Sequence, residues 1–171
     1  MSSNISHQIK QRPHANDVFI TPLELSKKAI GMVEYKEDDI WYDPFKNNGS
    51  YYNQYPNECR KLFSEILEDK DFFDFNENIT IISSNPPYSI LDKVIKKSIE
   101  LEPRVINYLI GLNNLTARRI EMFNEAGYGL TKIHMCKVFK WYGMSVIVQF
   151  EKDKVNIISY DRVVWREEEK K

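Results

Sequence analysis

Ile79-Thr80-Ile81-Ile82-Ser83, followed directly by Ser84 and then Asn85-Pro86-Pro87-Tyr88, is a β-branched, apolar run that stops abruptly at two prolines. Side chains of this kind on consecutive positions fit a strand buried on both faces, as in the interior of a parallel sheet. Two prolines cannot continue a hydrogen-bonded ladder, so the strand ends at Asn85. Downstream, Ser89 with Asp92 three residues on predicts a helix start, and Leu91, Val94, Ile95 and Ile99 share its inner face. A strand over Val105 to Ile110 follows, then a helix from Ala117 to Ala126 that Gly127 ends. Thr131 to Phe139 and Ser145 to Phe150 read as a hairpin joined at Trp141-Tyr142-Gly143.

Upstream the alternation repeats. Thr21 predicts a helix cap, Pro22 suits the first turn and Glu24 sits where a capping box wants a carboxylate. Leu25, Ala29, Met32 and Val33 then share a face, giving a helix from about Pro22 to Val33. A short strand, Ile40-Trp41-Tyr42, ends at Asp43-Pro44-Phe45, and a loop or short helix runs to Tyr55 before Pro56. A second strand is expected from Leu62 to Glu65, and a loop with one turn from Asp69 to Asn78. Alternating strands and helices with a terminal hairpin predict an open α/β sheet, mostly parallel with an antiparallel C-terminal hairpin.

With 171 residues the chain suits one domain. We expect a flexible N-terminal arm over 1–16, a domain over 17–160 and a charged tail over 161–171. No apolar run approaches the roughly 20 residues that span a bilayer, and the polar N-terminus lacks the apolar core of a secretory signal. Two cysteines, Cys59 and Cys136, are too few for a disulfide framework or a four-ligand metal site. The expected setting is therefore intracellular and cytoplasmic. His7, His14 and His134 are scattered, so no metal is expected. A net charge of −1 argues against a polycation that coats nucleic acid, so any such binding needs a local basic patch.

Open parallel sheets bind ligands at the C-terminal ends of their strands, beside the switch point. Three expected strand ends carry suggestive residues. Asp43 opens a loop containing Gly49, and Glu65 follows about twenty residues later, the usual spacing from a glycine loop to a ribose-binding acid. The third end is Asn85-Pro86-Pro87-Tyr88. Its prolines fix the backbone, so that the Asn85 side-chain oxygen and the Pro86 carbonyl face one way. Two such acceptors suit an exocyclic base amine, whose nitrogen lone pair is conjugated into the ring. Taking both hydrogens favours a pyramidal nitrogen with its lone pair exposed. Tyr88 offers a ring for stacking, and no general base is evident.

The ordered set resembles the S-adenosylmethionine-dependent amino-methyltransferases, specifically N6-adenine DNA methyltransferases of the Asn-Pro-Pro-Tyr type. The resemblance covers roughly Phe19 to Phe150 and implies a Rossmann-like methyltransferase fold with S-adenosylmethionine as cofactor. Phe19-Ile20-Thr21-Pro22 is similar to the family's N-terminal cofactor motif, which implies Thr21 near the methionine part. Asp43-Pro44-Phe45 through Gly49 resembles the cofactor loop, usually Asp-Pro-Phe-x-Gly-x-Gly, and implies Asp43 near the cofactor's amino group. Glu65 matches the acid that binds ribose hydroxyls, and Asp71-Phe72 is similar to the pair at the adenine ring. Asn85, Pro86, Pro87 and Tyr88 match the catalytic motif, whose leading Asn favours adenine over cytosine.

The chain departs from the family twice. Asn47 replaces the first loop glycine, and Asn is the residue that best tolerates positive φ in its place. Only 13 residues, 66 to 78, separate Glu65 from Ile79, so one crossover of the usual seven-stranded sheet is expected to be trimmed. Such a minimal form has no separate target-recognition domain. It would favour single-stranded or distorted DNA, with RNA second, or borrow recognition from a second subunit, like or unlike itself. Candidate nucleic-acid contacts are Lys93, Lys96, Lys97, Arg118, Arg119, Lys137, Lys140, Trp141 and Tyr142. Two other readings use the same fold. A protein glutamine-N5 methyltransferase shares the tetrapeptide, but its cofactor loop resembles Asp-Leu-Gly-Thr-Gly-Ser-Gly rather than Asp-Pro-Phe. A non-catalytic subunit has no need to keep an intact Asn-Pro-Pro-Tyr.

Overall fold

The computed structural model describes residues 19–138 and 143–164. The expected arm at 1–16, the tail beyond residue 164 and the candidates Lys140, Trp141 and Tyr142 lie outside the described residues. Six strands form one sheet: β1 (Ile40–Asp43), β2 (Arg60–Phe63), β3 (Ile81–Ser84), β4 (Val105–Gly111), β5 (Tyr128–Cys136) and β6 (Ser145–Lys152). Their spatial order is β2-β1-β3-β4-β6-β5. The first three pairings are parallel, while β4–β6 and β6–β5 are antiparallel. This is the expected mostly parallel sheet with a C-terminal hairpin.

Helix α1 (Leu23–Gly31) covers one face of the sheet and helices α2 (Leu91–Glu100) and α3 (Ala117–Glu125) the other. On the α1 side, Ala29 and Ile30 pack with Trp41, Tyr55, Ile81, Val105, Leu109 and Ile147. On the opposite side, Val94, Ile95, Ile120 and Phe123 pack with Tyr42, Ile82, Ile106, Val148 and Phe150. Because strand side chains alternate between faces, burying both covers every residue of β3. Its apolar run follows from that double burial. The α1 face also carries a buried polar row: Ser83 Oγ donates to Asn107 Oδ1 at 3.1 Å, and Asn107 Nδ2 to Gln149 Oε1 at 3.2 Å. All three residues are buried on adjacent strands and bond to one another in register.

Several expected boundaries shift. Thr21 does not cap α1; the cap position is Pro22, which has no side-chain capping bond. The helix expected to start at Ser89 starts at Leu91: a 3-10 turn over Tyr88–Ile90 precedes α2, and Asp92 bonds to Arg118 and Arg119 at 2.7 Å each. Two guanidinium groups hold that carboxylate by charge-assisted bonds. Strand β2 starts at Arg60 and ends before Glu65, whose backbone turns away to pair with Lys70. Strand β5 begins at Tyr128, because Gly127, at φ 85°, turns the chain from α3 straight into the sheet.

No described strand lies beyond β2, and residues between β2 and β3 form only two 3-10 turns, Ile66–Glu68 and Phe72–Asp74. The trimmed crossover leaves a groove of about 530 Å³ beside β2, lined by Phe63, Ser64, Lys70, Asp71 and Phe75 among others. The opposite edge is covered by the chain itself. Residues 153–157 cross β5, where Ile157 N donates to Leu130 O at 2.9 Å and Asn156 Oδ1 accepts from Leu130 N at 2.8 Å.

At the N-terminal pole of the sheet, Arg104 donates from Nε to the buried Asp39 at 3.0 Å and from Nη2 to Glu34 O at 2.8 Å. Burial pushes the Asp39 carboxyl up, but Arg104 and the Lys36 amide outweigh it and hold the pKa at about 2. The pole is thus clamped, and the parallel strands end at the opposite pole.

Candidate functional site

Strand β1 leads outward to β2, and the chain then returns to the other side of β1 as β3. The direction of winding therefore reverses between β1 and β3, the place where open parallel sheets hold their ligands. Asp43 closes β1, and Asn85 follows the last residue of β3. The two motifs that are 42 positions apart in sequence thus meet on adjacent strands.

Two side-chain bonds tie the motifs together. Ser84 Oγ donates to Asp43 Oδ1 at 2.6 Å, joining the two strand ends directly. Asn85 Nδ2 donates to Thr21 Oγ1 at 3.2 Å, joining the segment before α1 to the Asn-Pro-Pro-Tyr turn. Three motifs separated along the sequence therefore form one constellation.

Asp43 is fully buried. Its Oδ1 accepts from Ser84 and from the Phe45 amide, at 3.2 Å, but Oδ2 has no partner among the described residues. Burial pushes the Asp43 pKa up to about 7, against the opposing pull of the Ser84 hydroxyl and the backbone amides. The Tyr51 hydroxyl is likewise buried without a partner among the described residues. Burial raises its pKa well above the ordinary value, and the Asp43 carboxylate adds to that rise. Orphaned buried polar atoms are rare, and a carboxylate oxygen and a hydroxyl oxygen left unpartnered can each accept from a cationic donor such as an ammonium group. Asp43 has no exposed surface, so no part of its carboxyl faces open solvent.

That loop has the backbone expected of a close-approach turn. Asn47 adopts φ 48° and Gly49 φ 85°, so Asn stands in for glycine at the first position with the left-handed conformation kept. At Gly49 a Cβ would lie 2.6 Å from the Asn53 side chain. The Asn47 amide donates to Glu65 Oε2 at 2.7 Å, and the other Glu65 oxygen accepts from Leu67 N at 3.2 Å. Glu65 thus holds the loop from its far side. A carboxylate has about four lone-pair sites, so capacity remains for hydroxyl donors.

Phe45 packs edge-on against the buried Phe72, with ring centroids 5.2 Å apart. Asp71 accepts from the Phe73 amide at 2.9 Å and so caps the 3-10 turn that places Phe72. Pro44 and Pro86 are buried, Phe19 and Pro87 half-buried. Tyr88 is half-buried, with its hydroxyl 3.4 Å from Leu109 O. Burial pushes the Tyr88 pKa up to about 12, so its ring stays neutral over the whole physiological range.

The basic candidates divide. Lys93, Lys96 and Lys137 are exposed and Lys97 half-buried. Arg118 and Arg119 share Asp92, and Arg119 also bonds to Asn114, so both are partly neutralised and bind α3 to α2. Among the described residues no group of His, Cys, Asp and Glu could hold a metal ion. Among the described residues no helix is long and apolar enough to cross a membrane. Sequence reasoning missed Ser84, Tyr51 and Gln54. Ser84 adjoins the motif but reads as the end of a strand. Tyr51 and Gln54 sit in a polar, Asn-rich stretch whose buried positions have no period to reveal them.

Solved structures share this fold. PH1948 from Pyrococcus horikoshii, provisionally assigned as an RNA methyltransferase, matches with a TM-score of 0.65 and 15% identity, over 89% of this chain and 99% of its own. Magnesium protoporphyrin IX methyltransferase from Synechocystis PCC 6803, solved with bound SAM, matches at 0.61 and 9%, over 89% and 92%. A modification subunit from Vibrio vulnificus YJ016, provisionally assigned to a type I restriction enzyme, matches at 0.57 and 11%, over 91% of this chain and 49% of its own. No protein-family model and no curated protein sequence matches the chain. At these identities the likeness establishes the fold, a Rossmann-like methyltransferase fold, and leaves the substrate open.

Proposed function

We propose that the chain is an S-adenosylmethionine-dependent methyltransferase acting on the exocyclic N6 of adenine in nucleic acid, DNA before RNA. One observation carries the reading: the Asn-Pro-Pro-Tyr turn and the orphaned Asp43 carboxylate oxygen flank the switch point and are tied together through Ser84. The bound SAM in a structure of the same fold supports the cofactor. Structures assigned to RNA methylation and to a restriction system support a nucleic-acid substrate.

S-adenosylmethionine, when bound, supplies an electrophilic methyl group on a sulfonium centre. The residues of this chain suit it: Asp43 Oδ2 and the Tyr51 hydroxyl for the ammonium, Glu65 for the ribose hydroxyls, Phe45 and Phe72 with Asp71 beside the adenine. Thr21 and Phe19 border the same space, and Asn47 and Gly49 let the backbone approach. On the acceptor side, Asn85 Oδ1 and the Pro86 carbonyl take the two hydrogens of the amine. This localises the nitrogen lone pair and aims it toward the strand end at Asp43. Tyr88 stacks on the base, a contact worth about 1–3 kcal/mol. No residue need remove a proton beforehand, because the alkylated nitrogen is acidic and gives its proton to water. The neutral Tyr88 is consistent with this.

Extruding a paired base costs a few kcal/mol, so single-stranded or distorted DNA is the preferred target. Of the candidate cations, Lys93, Lys96 and Lys137 are exposed and available to phosphates, while Lys140, Trp141 and Tyr142 remain candidates for contact with the strand.

Incubating the protein with methyl-labelled S-adenosylmethionine and, in parallel, duplex DNA, single-stranded DNA, RNA and a release-factor-like protein tests this. Label recovered as N6-methyladenine is expected. Label in the protein alone would move the assignment to glutamine-N5 methylation, and cofactor binding without transfer to a non-catalytic subunit.

A further inference from the structure

We infer that Thr21 is a positioning residue for the acceptor amide: its hydroxyl holds Asn85 Nδ2 and thereby turns Asn85 Oδ1 toward the substrate amine. This rests on the proposed amine-methylating role of the Asn-Pro-Pro-Tyr turn, and gives Thr21 a task other than cofactor contact.

An asparagine amide has two ends of nearly equal shape and opposite hydrogen-bonding sense. Only the oxygen can accept from an amine; the flipped amide would set donor against donor. The prolines at 86 and 87 fix the backbone of the turn, but they do not fix rotation about the amide, which is broad and roughly two-fold for asparagine. A threonine hydroxyl can hold either end of the amide, but a substrate amine only donates, so the two together favour one orientation, with Oδ1 toward the amine and Nδ2 toward Thr21. Thr21 Oγ1 accepts from Nδ2 at 3.2 Å, which is that orientation.

Thr21 is built to stay where it is. It is buried at 4% exposure, and its hydroxyl is not spent on capping α1. Its neighbour Pro22 accepts from the amides of Leu25 and Ser26 at 3.0 and 3.1 Å. Gln54 Nε2 donates to Leu23 O at 3.1 Å and Ser26 Oγ at 2.7 Å, pinning the start of α1 to the cofactor loop. Lys132 Nζ donates to Met32 O at 2.6 Å, pinning its far end to β5. A helix held at both ends thus delivers one hydroxyl to the exit of β3.

The test compares Thr21→Val, which keeps the shape and removes the hydroxyl, with Thr21→Ser, which keeps the hydroxyl. Nitrogen-15 spectra of the ligand-free proteins report the Asn85 side-chain amide, assigned by its loss in Asn85→Ala. That signal should shift or broaden in Thr21→Val and stay in place in Thr21→Ser. With saturating S-adenosylmethionine, kcat for the wild type's best substrate should fall about tenfold in Thr21→Val and recover in Thr21→Ser. Saturating cofactor removes from kcat any share of the loss that comes from weaker S-adenosylmethionine binding. An unmoved amide signal in Thr21→Val overturns the inference, as does a loss that appears only as weaker cofactor binding. A wild type that methylates nothing while the amide signal still responds would instead defeat the proposed activity and leave the contact standing.

Discussion

Asp43 concentrates the energetics of the site in one carboxylate. Its folded-state pKa of about 7 lies above the ordinary carboxylate value, because burial penalises the charged form. The folded state therefore holds the proton more tightly than the unfolded chain. Stability is highest below about pH 4 in this respect, declines as pH rises from about 4 to 7, and is flat above. Replacing Asp43 by Asn removes that dependence: the ligand-free protein should gain roughly 2–4 kcal/mol at pH 8 and little at pH 4.5 by urea denaturation. The same variant should bind S-adenosylmethionine at least about tenfold more weakly, which calorimetry would show. A residue kept at a cost in stability is best explained by what it binds. The sequence singled out Asp43 but not its burial. It misread Thr21 as a helix cap because a hydroxyl before Pro22 suits that role locally, and only the fold brings Asn85 within reach, 64 positions away.

The elements were legible wherever both faces are buried. Strands β3 and β4 announce themselves by mainly apolar runs, whereas β2, at the sheet edge, begins with Arg60 and Lys61, two residues before the expected start. Helix α2 was placed by its apolar face, but its start was not, since Asp92 serves Arg118 and Arg119 across a helix interface that spacing cannot foresee. The cover over β5 also escaped notice. It depends on Gly129, where a Cβ would lie 2.2 Å from Lys154 O. Gly129→Ala must displace the crossing strap, and we expect a loss of about 1–3 kcal/mol, seen as a lower midpoint in thermal melting. Amide exchange at Leu130 and Ile157 should rise in the same variant, because the bonds that seal the edge are the ones disturbed. Unchanged stability would mean the strap is not held there.

Across the whole molecule, the clamp at Asp39 and Arg104 closes one pole of the sheet, and the three motifs gather at the other. Ordered motifs disclosed that pole in advance, because an open parallel sheet sends every strand end to the same side. Substrate identity is not legible at this scale: structures of the same fold are assigned to RNA, porphyrin and restriction-system chemistry. It rests instead on the acceptor pair in the Asn-Pro-Pro-Tyr turn. The most direct measurement is therefore single-turnover transfer of labelled methyl to an adenine-containing oligonucleotide, with wild type and Asn85→Ala compared at saturating cofactor. Wild type should yield N6-methyladenine, and Asn85→Ala should lose about 100-fold or more in rate while its affinity for S-adenosylmethionine stays within about threefold. Transfer by Asn85→Ala at a rate near that of the wild type would contradict the role given to the turn.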